Sequence, residues 1–339
     1  VRATGDEEFL REAGLEIIFD TAQFWKSCLQ YNEAEDRWEI RRVIGPDEFH
    51  EHVDNNFYTN YLARWNLQMA VRLAEITKRG EPALFGRLCA HLGIDDSDVR
   101  QWDNAASKIY LPQDEASRRI EQFQGYFELL DVPIEEYDRN GLPKWPEKLR
   151  QYPNLSLNDT QLIKQPDVVM LLFVLPDHFS METKRANYAY YRERTMHKSS
   201  LSPSIYSIVG QQVGDRSSAH RFFMQAVMTD LEDNQGNTAL GLHCASAGGC
   251  WQSAVLGFGG MAVDSEHGLQ FSPWLPSTWT RLAFAIQWKG AKVQIDVDRT
   301  HVTVSSSEPV SVQVYDQPCT LKPNEAQRIA RPAADTVSD

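Results

Sequence analysis

With 339 residues, 42% of them hydrophobic and 24% charged, the chain exceeds what one hydrophobic core usually organises, so one large domain and one small domain are expected. A net charge of -13 without a basic run argues against nucleic acid or an anionic membrane as partner, because both are held through clustered Lys and Arg. Five scattered cysteines, Cys28, Cys89, Cys244, Cys250 and Cys319, show no C-x-x-C spacing, which argues against structural zinc and fits a reducing, cytoplasmic compartment.

From residue 7 to about 28 the apolar positions Phe9, Leu10, Leu15, Ile17, Ile18, Ala22, Phe24 and Trp25 recur at helical spacing, and a helix buried on two sides is expected. Comparable patterns predict helices at 56–78, 82–92, 115–130, 158–175, 184 to about 192, 218–231 and 248–261, joined by segments carrying Pro, Gly, Asp and Asn. The longest apolar run, 168–175, is too short for a bilayer span or a secretory signal. After Gly260 the period changes to alternation in LAFAIQW, KVQIDV and THVTV, within 281–304, and again in SVQVYD at 311–316. A mainly α chain followed by a small antiparallel β-domain is therefore expected, divided at 1–262 and 263–330, with a frayed tail at 331–339. About eight helices without intervening strands exclude a doubly wound sheet or an eight-stranded parallel barrel, and they suit stacked helical hairpins. Val1 in place of Met suggests an amino terminus that is not the natural one.

Four segments could carry chemistry. In VIGPDEFHEHVDNNFYTNYLARWN, Glu48 follows a Gly-Pro turn among Asp47, His50, Glu51, His52 and Asp54. Repulsion among close carboxylates raises proton affinity, which a general acid needs, although a solvated acidic loop has the same composition. H-E-H at 50–52 lacks the i, i+4 histidine spacing of a zinc helix, so no metal is expected, and Asn55, Asn56, Tyr58, Thr59 and Asn60 suit helix capping and sugar hydrogen bonds. Lys164 and Gln165 precede the apolar run and could reach a cavity or simply face water. RTMHKSSLSPS gathers Arg194, His197, Ser199 and Ser200, a set suited to phosphate and equally to a polar turn.

In GLHCASAGGCWQ, Ser246 could cap a helix beginning near Gly248, with His243 close by, and such a helix end attracts anions. An ordinary capped helix whose glycines permit tight packing reads the same way. A serine nucleophile is disfavoured because G-x-S-x-G would need Gly where Cys244 stands.

The segments GPDEFHEHVDNNFYTN, KQPDVVML, YYRERTMHKSSLSPS, NTALGLHCASAGGCWQ and DSEHGLQFSPWLPSTWTRLAFAIQWKG resemble, in that order, glycoside hydrolase family 65, the α-glucobiose phosphorylases acting on kojibiose, maltose, nigerose or trehalose. The resemblance implies part of an (α/α)6 barrel followed by a small β-sandwich. It implies Glu48 as general acid, Lys164 and Gln165 on the glucosyl unit, and His243, Ser246, Gly248 and Gly249 around phosphate. The implied reaction is inverting phosphorolysis, kojibiose-like, with a disaccharide and inorganic phosphate as partners, no cofactor, and a possible homodimer. An inverting hydrolase of the acid-trehalase type and an inactive carbohydrate-binding fragment are the alternatives. Inverting hydrolysis needs a second carboxylate to activate water, whereas phosphate arrives anionic, and GLHCASAGGCWQ contains neither Asp nor Glu. The family's amino-terminal β-sandwich and first barrel helices have no counterpart here, so a fragment, or a barrel completed by another polypeptide, is expected to leave an apolar edge uncovered.

Overall fold

A computed structural model describes residues 1–138, 141–152, 154–264 and 268–332, so the expected frayed tail falls, from 333 on, outside the described residues. The chain forms two compact units. The first comprises Asp6–Asp131 and Leu155–Gln161 with Val1, and the second Arg2–Gly5, Val132–Asn154 and the described residues from Leu162 onward. Among the described residues no helix is long and apolar enough to cross a membrane.

In the first unit a helical turn, Glu7–Phe9, and a π-helical turn, Leu10–Gly14, lead into α1 (Leu15–Cys28), so the expected first helix is nearly continuous. It buries Leu15, Phe19 and Ala22 but leaves Ile17 and Phe24 more than half exposed, and the expectation of burial on two sides is corrected to one. A hairpin, β1 (Gln30–Asn32) and β2 (Arg37–Glu39), follows. Helix α2 (Phe57–Gly80) starts where the Asn56 side chain accepts the Thr59 amide at 3.0 Å. Ala63, Ala70 and Ala74 line its buried face, and their small volume lets neighbouring helices approach closely.

Helix α3 (Pro82–Leu92) opens on its proline as expected, whereas α4 (Asp96–Lys108) was not foreseen. A reciprocal capping box between Asp95 and Asp98 starts α4, and Asp-x-x-Asp was the available signal. Phe19, Phe85 and Trp102 meet at the centre of this unit, with ring centroids 6.1 and 6.4 Å from Phe19. Each such buried ring stabilises by roughly 2–3 kcal/mol.

The helix expected at 115–130 does not form. Asp114 accepts the Ala116 amide and the Ser117 hydroxyl, Arg118 takes a left-handed φ of 57°, and the chain turns back as β3 (Gln113–Asp114) against β4 (Arg119–Ile120). Local turn chemistry outweighs the apolar spacing there.

In the second unit the helix expected at 158–175 is confined to α5 (Asp167–Val174), because Pro166 stands at its N-cap. Helix α6 (Met181–Arg192) is capped by Ser180 and α8 (Arg216–Leu231) by Asp215. Between them lies α7 (Ser202–Val213), again not foreseen, whose first nine residues are all buried. A helix covered on every side carries no amphipathic stripe for a periodicity argument to find. Helix α9 (Cys244–Gln252) runs into a π-helical turn, Ser253–Phe258, that ends before the expected limit at 261. Gly260 holds a φ of 57° against Ser272, where any Cβ would overlap backbone.

Two four-stranded sheets follow. One has β5 (Met261–Asp264), β6 (Gly268–Phe271), β10 (Val310–Val314) and β11 (Gln317–Leu321). The other has β7 (Arg281–Trp288), β8 (Ala291–Asp298), β9 (His301–Ser306) and β12 (Ala326–Ala330). The expected antiparallel arrangement holds except between β6 and β10, which pair parallel, Val312 opposite Leu269. Inward residues of both sheets, among them Phe271, Val293, Ile295, Val304 and Val312, form one apolar cluster with Val255 from the preceding turn.

Candidate active site

Leaving β2, the backbone closes a loop by two hydrogen bonds between Val43 and Val53, at 3.0 and 2.9 Å. Asp54 Oδ1 accepts the Arg42 amide at 2.9 Å, and Asn55 Oδ1 accepts from the Ile40 amide and from Asn60 Nδ2, so the loop is tied to both β2 and α2. Within it Asp47 and His50 are buried, 1% and 2% exposed, while Glu48 between them is exposed. His50 Nδ1 lies 2.6 Å from Asp47 Oδ2, and Nε2 donates to the Thr160 carbonyl at 2.8 Å. Gln122 Nε2 also donates to Asp47 Oδ2, at 3.0 Å. The sequence suggested a cluster of mutually repelling carboxylates; in the structure Asp47 turns inward onto an imidazole and Asp54 accepts the Arg42 amide, while Glu48 and Glu51 are exposed.

The helix expected to begin near Gly248 begins at Cys244, with His243 as N-cap. Ser246 therefore does not cap it. Its hydroxyl is buried and donates to the Ala226 carbonyl at 3.0 Å, fastening α9 to α8. Gly249 is buried too, and a Cβ there would overlap the Ser204 hydroxyl, so the tight-packing reading applies to this glycine. Gly248 is exposed, with open space where a Cβ would stand. The true start leaves the amides of Ala245 and Ser246 in the first turn without an acceptor inside the helix.

Asp230, near the end of α8, escaped the sequence reading. Its Oδ1 lies 2.5 Å from His243 Nδ1 and its Oδ2 accepts the His243 amide at 2.8 Å. These donations hold the Asp230 carboxyl below its usual range. Asp233 caps the same connection by accepting the Thr238 amide at 2.9 Å. A carboxylate thirteen residues before a histidine has no periodic signature, so only the fold pairs Asp230 with His243.

Lys164 and Gln165 are half-buried on a segment locked to 194–196, the Ile163 amide donating to Arg194 O at 2.9 Å and the Met196 amide to Ile163 O at 2.8 Å. Gln235 Nε2 donates to the His197 carbonyl at 3.3 Å, which links that segment to the connection leading to His243. Arg194 stacks on Tyr190 at 3.8 Å and donates to its carbonyl. His197 is sealed between Tyr206 and Phe222, bonds Ser202 Oγ at 2.7 Å, and is pushed down to about 3 by burial. It is neutral near pH 7 and serves the core, so the phosphate role weighed for His197 is not supported. Among the described residues no group of three His, Cys, Asp or Glu side chains gathers that could hold a metal.

The first unit thus carries an outward carboxyl on a braced loop, and the second carries a helix start with two amides unclaimed inside the helix, followed by a β-domain. The pattern of the "Glycosyl hydrolase family 65 central catalytic domain" matches residues 1–252, that of the "Glycosyl hydrolase family 65, C-terminal domain" matches 262–321, and the chain belongs to glycoside hydrolase family 65.

Among its relatives, kojibiose phosphorylase of Caldanaerobacter subterraneus subsp. tengcongensis is 47% identical over 92% of this chain and 41% of its own length. Alpha,alpha-trehalose phosphorylase of Thermoanaerobacter brockii is 34% identical over 96% of this chain and 42% of its own. A solved human-microbiome structure provisionally named kojibiose phosphorylase superposes with a TM-score of 0.86 at 29% identity, covering 98% of this chain and 48% of that one. The chain thus spans less than half the length of the relatives it matches.

Proposed function

We propose that this protein serves the inverting phosphorolysis of an α-linked glucose disaccharide, kojibiose-type, giving β-glucose 1-phosphate and a free sugar. The observation that carries this is the 47% identity to a kojibiose phosphorylase over nearly the whole chain. Glu48 protonates the interglycosidic oxygen, the bond to the anomeric carbon breaks, and phosphate attacks that carbon from the opposite face. Lys164 and Gln165 hold the glucosyl unit. Phosphate is received by His243 and the first turn of α9, where Ser246 contributes its amide, Gly248 leaves room, and Gly249 lets the helix pack as it does.

On this reading the helices belong to an (α/α)6 barrel, the strands from residue 263 form its β-sandwich, and the five free cysteines suit the cytoplasm. Asp230 is a carboxylate beside the anion helix, where a hydrolase would want a base. Both of its oxygens are engaged by His243, one by the ring and one by the amide, so on this reading it orients the phosphate-binding histidine. The test is phosphate dependence: kojibiose breakdown by the intact enzyme should yield glucose 1-phosphate and stop in phosphate-free buffer. Equal sugar release without phosphate refutes it.

A further inference from the structure

We infer that Asp47 and His50 are positioning residues for Glu48, acting as a water-free clamp that aims its carboxyl without touching substrate. The inference rests on Glu48 being the acid, as proposed above.

The geometry around the loop carries the argument. Four residues, Asp47 to His50, make a turn whose ends point inward and whose second residue points out. The His50 ring is fixed at both nitrogens. A carbonyl oxygen only accepts, so the nitrogen facing Thr160 O must carry a proton, and a second proton lies between Nδ1 and Asp47 at 2.6 Å. Phe123 and Tyr126 pack on the ring at centroid distances of 5.0 and 6.0 Å and shut out water. Asp47 also accepts the Phe49 amide, at 3.2 Å to Oδ1, and Gln122 Nε2, at 3.0 Å to Oδ2. With no ring nitrogen left for a ligand, His50 can act only through the shape of the loop. Glu48 is one bond from Asp47, so a shift of the clamp transmits directly to the carboxyl, and misplacement by about 1 Å costs on the order of 100-fold in rate.

Replacement of the aspartate separates positioning from packing. In Asp47→Asn, the amide Nδ2 can donate to Nδ1 of a neutral ring while the other ring nitrogen keeps Thr160. Gln122 Oε1, which is buried without a hydrogen-bond partner, can rotate to accept the second amide hydrogen. The clamp then survives without charge. Asp47→Ala removes it.

The expected results in the intact enzyme are a kcat about 10- to 100-fold lower for Asp47→Ala with little change in the KM for sugar, and a kcat within about threefold of the parent for Asp47→Asn because its hydrogen bonds are retained. In a Glu48→Gln background the alanine variant should cost nothing more, since it acts through the missing acid. Loss through KM alone, or an additional full loss in the Glu48→Gln background, overturns the positioning role. A readout independent of turnover comes from ¹⁵N-histidine labelling of the unmutated chain. The His50 Nε2 proton, identified by its absence in His50→Gln, should exchange slowly with solvent, and rapid exchange overturns the clamp. If Glu48→Gln leaves turnover intact while that proton remains protected, the clamp stands and the acid assignment is what fails.

Discussion

In the loop at 40–56 an aspartate–histidine pair is sealed from water and spends both imidazole nitrogens, on Asp47 and on the Thr160 carbonyl. At the start of α9 another such pair, Asp230 with His243, is half-buried, and Asp230 takes only Nδ1 and the backbone amide. The same two residue types therefore reach opposite outcomes. A ring used at both nitrogens can fix a shape and bind nothing, whereas a ring anchored at one nitrogen presents the other, Nε2, in a fixed direction. Burial, not residue identity, decides how many of the ring nitrogens stay open.

The largest effect is expected at the proposed acid, Glu48, beside the sealed pair. Glu48→Gln should lower kcat roughly 100- to 10,000-fold while sugar binding persists, measured as phosphate-dependent glucose 1-phosphate release and by calorimetric titration with disaccharide. Unchanged turnover would break the comparison at its first term. The open pair is tested by Asp230→Ala, which frees the imidazole. The KM for phosphate should rise about 10- to 100-fold, the worth of a hydrogen bond to a charged group, with a smaller change in the KM for sugar. An effect on kcat alone would make Asp230 a brace like Asp47.

The two glycines sharpen the picture of α9. Gly249→Ala should destabilise the protein by about 1–3 kcal/mol in denaturant unfolding because its Cβ would overlap the Ser204 hydroxyl, whereas Gly248→Ala should leave stability nearly unchanged, since open space awaits its Cβ, and weaken phosphate instead. Reversed results would move the packing face of the helix.

The smallest effect concerns a second buried imidazole, His197. Burial lowers His197 from 6.5 to about 3, so its stability contribution is fully present above pH 6.5 and is lost as pH falls through that value toward 3, where the unfolded chain binds a proton the native one refuses. His197→Phe should flatten the fall of stability over that interval in urea melts taken at several pH values. Glu39 acts in the same direction lower down. Lowered to about 2 by hydrogen bonds from Asn32, Arg37 and Arg41 that outweigh its burial, it supports the fold above pH 4.5 and ceases to as pH falls toward 2.

The linear sequence carried the helices whose faces alternate. Residues 82–92 were legible to the residue, and 56–78 nearly so, because one stripe of each is wet and a capping Asn56 or Pro82 marks the start. It carried β7 to β10 for the same reason, one inward face alternating with one outward, whereas β11 and β12 were not expected. It also carried Glu48 and His243 as candidates, through their setting in motifs that resemble a known family. What it could not carry was α7, whose sides are all covered, or the turn at 114–119, where side-chain hydrogen bonds override spacing. The partners that give the histidines their different surroundings, Thr160 for His50 and Asp230 for His243, lie 110 and 13 positions away. Only tertiary structure decides them, because whether an imidazole nitrogen meets a carbonyl, a carboxylate or water is set by what packs over the ring, and a local pattern contains no record of that.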